Sequence, residues 1–301
     1  MQTRRVYLEK DRAFTASTVI VTDINISDPI SLIEVLVEMT NGSAMTEASV
    51  VKPHDDITKI ELVDGSDVLW SSNMERIQAY NAFKNKCLPY MELTLDDNAV
   101  QRENCFLQFG LKRYDKEHYL PPEQFRNLQL RITITMTTAA VTAWAASGHT
   151  VSVIAHVMEE GTLENKGFIT FQDTINYTAV DGAVETIDMP TDDPYQAIII
   201  QALKTGADIT GSLEKIKLSV DADRYVPLEL DFDHLVKENA AEFGAFEQRL
   251  VKRLTGAGDV YGDLYGVNLA TVAVDTASNF AEVVAVAGEK VFVEINNIAT
   301  S

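Results

Sequence analysis

Leu213-Glu214-Lys215-Ile216-Lys217-Leu218-Ser219-Val220 alternates apolar and polar residues, the period of a strand with one buried face. Asp221-Ala222-Asp223 interrupts the alternation as a turn would. Arg224 to Leu230 then leads into the longest helical pattern of the chain, expected over Phe232 to Leu254. Phe232, Leu235, Val236, Phe243, Phe246, Leu250 and Leu254 line one side of it. Asp231 is placed to cap the first turn, and Lys252 and Arg253 to complement the dipole at the far end. Thr255-Gly256-Ala257-Gly258 is expected to stop it.

The first half of the chain echoes this stretch. Ile57-Thr58-Lys59-Ile60-Glu61-Leu62-Val63 alternates in the same way, Asp64-Gly65-Ser66-Asp67 is a turn, and a helical pattern runs from Met74 to Phe83. Overlaid, Lys59 meets Lys215, Ile60 meets Ile216, Leu62 meets Leu218 and Asp67 meets Asp223. The spacing Ser72-Asn73-Met74-Glu75 predicts a capping box led by Ser72, and Leu88-Pro89 an end to the helix.

Further strands are expected at Ser17–Ile26, Ile30–Met39, Met91–Leu95, Cys105–Leu111 and Leu128–Met136, the last being the cleanest alternation of all. Pro121 to Phe125 reads as one helical turn. Thr137 to Thr150 changes texture to Ala, Thr, Ser and Gly, and a domain boundary is placed there, between residues 143 and 144. Beyond it strands are expected at Val151–Met158, Gly167–Tyr177, Gln196–Leu203, Val267–Val274 and Val291–Ile295. Each half thus orders its elements alike. The expectation is a mainly β chain of two tandem β-sandwich domains, 1–143 and 144–301, each with a helix in a long loop.

Composition bounds the function. A chain of 301 residues with 46% hydrophobic residues supports about two ordinary domains. A net charge of −20 argues against a general or sequence-specific nucleic-acid surface, which needs a basic face. The exception is the start of the chain, where Arg4, Arg5, Lys10 and Arg12 outnumber Glu9 and Asp11. This basic arm is either a frayed terminus or a contact with an anionic membrane or a neighbouring subunit. No signal peptide and no membrane-spanning run is expected, which places synthesis in a cytoplasm. Cys87 and Cys105 lack metal-ligand spacing and are expected as reduced, buried thiols.

A search for chemistry returns little. The chain has no glycine-rich nucleotide fingerprint, no Walker loop, no H-E-x-x-H and no G-x-S-x-G. The five histidines, His54, His118, His149, His156 and His234, are scattered, and spacing pairs none of them with a carboxylate. Asp55-Asp56, Asp96-Asp97, Glu159-Glu160, Asp192-Asp193 and the pair Asp221 and Asp223 lack the loop pattern that gathers calcium ligands, and read as solvated turns. Phe232, Phe243 and Phe246 read as core, and Trp70 and Trp144 as unconnected. No catalytic residue, cofactor or metal is expected.

The chain resembles the double jelly-roll major capsid proteins of tailless icosahedral viruses with an internal membrane, bacteriophage-like ones among them. The resemblance rests on Ile57–Gly65 and the short helix after it, and on Cys105–Leu120, with Gln108-Phe109-Gly110 and Tyr114-Asp115. Phe125 and the strand Leu128–Met136 complete the first roll, and Val151 onward supplies the second. The resemblance implies a homotrimer with a pseudo-hexameric footprint, built into an icosahedral shell around a lipid membrane. It also implies minor capsid or vertex proteins as partners, residence in the virion, and an N-terminal segment on the inner side, where Arg4, Arg5, Lys10 and Arg12 would lie. Two other readings remain open: a spike or lectin-like module binding glycan or receptor, and a cupin-like enzyme. The last needs clustered histidines, and the seven-residue spacing of His149 and His156 puts them on opposite faces of any continuous strand.

Overall fold

The computed structural model describes residues 2–43, 51–86, 90–94, 97–137, 144–159, 163–173, 176, 178, 180, 182–191, 194–201, 213–243, 249–255, 258–263, 279–285 and 290–294. The chain divides into two compact units, Met1–Asp173 with Arg249–Val284, and Thr174–Gln248 with Ala285–Ser301.

In chain order come β1 (Thr3–Phe14), β2 (Thr18–Asp23), β3 (Ile30–Thr40), the single turn α1 (Pro53–Asp56), β4 (Ile57–Asp64), β5 (Asp67–Ser72) and α2 (Met74–Asn85). Then follow β6 (Met91–Thr94), β7 (Val100–Gln108), β8 (Leu128–Ile134), β9 (His149–Met158), β10 (Ala197–Gln201), β11 (Lys215–Val220), β12 (Tyr225–Asp231) and α3 (Phe232–Phe243). The last strands are β13 (Arg249–Thr255), β14 (Gly258–Asp263), β15 (Asn279–Ala285) and β16 (Lys290–Glu294).

The first unit is built on two sheets. One has eight strands in the order β1-β9-β3-β7-β6-β14-β13-β15, the other four in the order β2-β8-β4-β5. The strand pairs β1–β9, β9–β3, β3–β7, β7–β6, β6–β14, β14–β13, β2–β8, β8–β4 and β4–β5 are antiparallel. Alternation decides which residues meet between the sheets. Ile33, Val35, Val37 and Met39 of β3 and Val151, Val153, Ala155 and Val157 of β9 face Ile60 and Leu62 of β4 and Leu130, Ile132 and Ile134 of β8 in one cluster. Burying each such side chain contributes about 1.5–3 kcal/mol, so the strict period of 2 in β8, and in β3 from Ile33 onward, sets their register against the core.

The second unit holds the pair β10 and β16 and the hairpin of β11 and β12. Phe232 and Leu235 of α3 are buried against Ile198, Ile200, Ile216, Leu218 and Leu228. The turn between β11 and β12 places Asp221, Ala222 and Asp223 at φ of 53°, 51° and 69°, a left-handed run in which the short polar side chain eases the conformation at the two Asp and Ala222 is strained.

The opening stretch and its echo therefore share one design: hairpin β4–β5 followed by the 12-residue α2, and hairpin β11–β12 followed by the 12-residue α3. Several expectations need correction. The second helix ends at Phe243, eleven residues before Leu254, and Arg249–Thr255 is a strand. Gly244 lowers helix propensity at that point. Thr255 pairs with Gly258 at the end of β13 and β14, so Lys252 and Arg253 lie on β13, and the stop expected at Gly256-Ala257 lies outside the described residues. The cap of α2 is Asn73, whose side chain accepts from the Arg76 backbone N–H at 2.8 Å, while Ser72 closes β5. Arg224 to Leu230 falls largely on β12. Gly167–Tyr177 is not a regular strand: among its described residues one bridge, Ser71 to Gln172, is formed. The strand expected at Val267–Val274 lies outside the described residues.

The first residues are no frayed arm. Thr3 to Arg12 contributes most of β1, a 12-residue strand paired with β9 from Thr3 opposite Met158 to Phe14 opposite His149, with two bulges on the way. Val6 and Leu8 pack against the core, which is what holds it. β9 in turn lies between β1 and β3, so the boundary placed between residues 143 and 144 falls inside the first unit.

Candidate assembly surface

Side-chain chemistry in the first unit is concentrated in four polar clusters. In the first, the turn α1 brings His54 to β7. His54 Nδ1 lies 2.7 Å from Glu103 Oε2, which also accepts from the His54 backbone N–H at 3.2 Å and from Gln78 Nε2 at 3.3 Å. Both residues are buried, and the exposed Asp55 reaches His54 Nε2 at 3.5 Å. Burial pulls the His54 pKa down, but the Glu103 charge and hydrogen bond, with Asp55, outweigh it and raise the pKa.

In the second cluster Asp56, also buried, accepts from Thr137 N at 3.0 Å, from Thr137 Oγ1 at 2.7 Å and from the Trp144 indole N–H. The third lies on the other face of the eight-stranded sheet. Buried His156 meets the Tyr114 hydroxyl at 3.1 Å and Glu34 at 3.5 Å, and Glu34 accepts from Asn104 at 2.9 Å. The His156 hydrogen bond leads the causes that hold the Glu34 carboxyl below its ordinary value. In the fourth, Asp115 ties its own loop by accepting from Leu111 N at 3.1 Å and Glu117 N at 3.0 Å. Beside it Lys84 donates to the Gly110 carbonyl at 2.6 Å and to Tyr80 at 2.7 Å. Burial brings the Lys84 pKa down to about 8.

Spacing gave no sign of the contacts His54–Glu103 and His156–Glu34, because the partners lie on different elements; the pairs His118–Asp115 and His54–Asp55 are local, and spacing did not single them out either. His149 and His156 do lie on opposite faces of β9: His149 packs on Phe14 and Trp144, His156 on Tyr114. The imidazole of His149 bonds Ala145 O at 2.7 Å and Thr40 N at 3.1 Å. Cys105 is a free, buried thiol whose pKa burial raises, and Cys87 lies outside the described residues. Of the acidic doublets, Asp56 is buried rather than solvated. Asp96, Glu160 and Asp192-Asp193 lie outside the described residues. Among the described residues no three His, Cys, Asp or Glu converge as metal ligands. No helix there is long and apolar enough to cross a membrane. These clusters fasten loops and helices to the sheets.

Sheet edges set where this unit can meet another chain. At the β5 edge, Ser71 N donates to Phe171 O at 2.7 Å, Asp173 N to Ser71 O at 3.3 Å, and Arg76 pairs with Asp173 at 2.7 Å. Phe171 stacks on Trp70 and Tyr80, so residues 168–173 cover that edge. Where β6 ends, α2 covers β7: Asn81 bonds both backbone groups of Phe106, and Gln78 donates to Asn104 O at 3.2 Å.

β1 and β2 are edges without such a cover among the described residues. Tyr7 on β1 is 55% exposed and Val19 on β2 is 53% exposed. The sequence-predicted contact residues lie here. Arg4 pairs with Asp28 at 2.8 Å and with Glu159; Arg12 pairs with Glu9 and donates to Val21 O, each at 3.2 Å. Lys10 lies over the Tyr7 ring at 5.6 Å, and Arg5 sits opposite His156. Arg5 and Lys10 have no ion-pair partner among the described residues.

Antiparallel sheets packed about the core of the first unit, with helices confined to connections, define a mainly β protein of the jelly-roll kind. No family model and no curated protein matches the sequence. Solved structures match it in fold. The crystal structure of the major capsid protein of STIV aligns with a TM-score of 0.59 at 13% identity, over 97% of this chain and 95% of that one. A chain in the atomic structure of Sulfolobus turreted icosahedral virus aligns with a TM-score of 0.60 at 14% identity, over 97% of this chain and 89% of that one.

Proposed function

We propose that this chain is the major capsid protein of a tailless icosahedral virus. Three copies form a pseudo-hexameric capsomer, and capsomers tile a shell around an internal membrane, with minor capsid or vertex proteins at special positions. The chain is made in the host cytoplasm, resides in the virion, and works by shape rather than by catalysis. The observation that carries this reading is the agreement of fold along nearly the whole length of both chains with a viral major capsid protein. Two features support it: polar clusters that fasten loops, and two sheet edges left uncovered among the described residues. Arg4, Arg5, Lys10 and Arg12 belong to the contact surface, toward a neighbouring subunit or the membrane.

Native mass measurement and electron microscopy of the purified full chain test the proposal. A species of three chain masses, and closed shells or hexagonal arrays at high concentration, are expected. A strictly monomeric protein that binds a glycan saturably would replace the proposal with the receptor-binding reading.

A further inference from the structure

Thr40, at the end of β3, closes on the residues that lead into β9. Ala145 N donates to Thr40 O at 2.9 Å, the Thr40 hydroxyl donates to Gly148 O at 2.8 Å, and Thr40 N donates to His149 Nδ1 at 3.1 Å. His149 Nε2 completes the ring on Ala145 O at 2.7 Å. Gly148 permits so close an approach: its φ is +91°, and a Cβ there would lie 2.7 Å from the Thr40 hydroxyl oxygen.

These contacts fix the protonation state of His149. The Thr40 backbone N–H can only donate, so Nδ1 carries a lone pair; the Ala145 carbonyl can only accept, so Nε2 carries the proton. The imidazole is therefore neutral while the ring is shut. A second proton has only Nδ1 to go to, where it would face another N–H, and the imidazole is fully buried. The neighbours Phe14 of β1, Thr40 of β3, and Trp144 and Ala145 of the connection carry no titratable group. Two residues along the flanking strands, Arg12 of β1 pairs with Glu9, and Glu38 of β3 with Arg102. Asp56 of α1 acts on His149 by its charge, and its own oxygens are held by Thr137 and the Trp144 indole. Burial outweighs the Ala145 bond and the Asp56 charge and lowers the His149 pKa below the ordinary 6.5.

We infer that His149 is an acid-released latch on residues 144–148: neutral, it ties them to the end of β3, and protonated, it lets them go while the two sheets stay folded. The latch is complete above pH 6.5, the ordinary value, and is lost as pH falls through the lower folded value. His54 works in the opposite sense. It lies on the same turn as Asp56, and protonation keeps its contact with Glu103. Acid therefore frees Trp144 on the side that faces His149 and leaves α1 anchored to β7. In a chain that works by shape, one corner opens in acid without loss of the core. The inference rests on the fold of the first unit and not on the assembly proposed above.

Hydrogen exchange of the full chain, followed by mass spectrometry at about pH 7.5 and about pH 5 and corrected for the intrinsic rate at each, tests it. Protection of peptides that contain Thr40 and Ala145 is expected to fall about tenfold on acidification, with β4 and β8 unchanged. His149→Asn places an amide oxygen where Nδ1 stands and takes up no proton in this range, so protection at the same peptides should not change with pH. Nitrogen chemical shifts of His149 in the parent chain, assigned by comparison with that variant, should show the proton on Nε2 at the higher pH. A proton found on Nδ1 overturns the latch. So does protection at Thr40 and Ala145 that holds in acid, or that falls as far in His149→Asn as in the parent. A loss spread evenly over β4 and β8 also overturns it, since the sheets are then what acid opens. Each of these leaves the capsid reading standing.

Discussion

The Asn81 carboxamide accepts from the Phe106 backbone N–H at 2.7 Å and donates to the Phe106 carbonyl at 2.8 Å. A side chain of α2 thus makes the two bonds that a neighbouring strand would make, where β6 no longer runs beside β7. Asn81→Ala should leave both groups unpaired under the helix. A loss of about 2 kcal/mol is expected, read as a lower urea midpoint with an unchanged slope.

Asp56 holds the chain at two points beyond β8, Thr137 and Trp144. Asp56→Ala removes the acceptor of the Thr137 N–H and hydroxyl and of the Trp144 indole N–H together. A destabilisation of about 2–4 kcal/mol is expected. Tryptophan emission in the folded state should also shift, because the indole N–H of Trp144 loses its acceptor.

The buried contact of His54 with Glu103 makes stability depend on pH in a defined direction. The His54 pKa is raised above the ordinary 6.5. Its contribution is therefore fully present below pH 6.5 and is lost as pH rises through the folded value. His54→Gln should remove this part of the slope, so urea midpoints of the two proteins should converge as pH rises.

Lys84 acts in the other direction. Its folded pKa is about 8 against an ordinary 10.5, so the folded protein binds fewer protons between those values and stability rises with pH across that window. Lys84→Met should flatten the rise, seen as the difference in urea midpoint between variant and parent from pH 8 to 10.5.

Gly110 begins the loop that Asp115 closes. A methyl group there would lie 2.6 Å from the His118 carbonyl oxygen and 2.7 Å from the Asp115 Cβ, neither of them a flexible side-chain end. Gly110→Ala should cost about 1–3 kcal/mol through forced backbone movement, whereas Gly65→Ala meets no atom within 4 Å and is limited by its φ of +63° alone.

Local order was legible in the chain because period-2 alternation is a property of neighbouring residues. β4, β8 and β11, together with the strand–turn–helix echo, needed nothing more, whereas Ile30–Met39 suited strand or helix and its β-branched residues favoured the strand it forms as β3. The candidate surface was half legible: Arg4, Arg5, Lys10 and Arg12 stood out by charge. Their being strand residues on a sheet edge did not, since β1 is held by β9 more than 130 residues away. Shorter but still non-local separations hid the contacts of His54 with Glu103, 49 residues apart, and of His156 with Glu34.

The Leu213–Leu254 stretch divides along that line. Alternation in Lys215–Val220 and the apolar stripe from Phe232 to Phe243 came from the sequence by itself, because backbone geometry fixes which residues share a face. That Arg249–Thr255 leaves the helix to pair with β14 was decided in three dimensions. Its residues suit either period, and only the hydrogen bonds of a partner strand select between them.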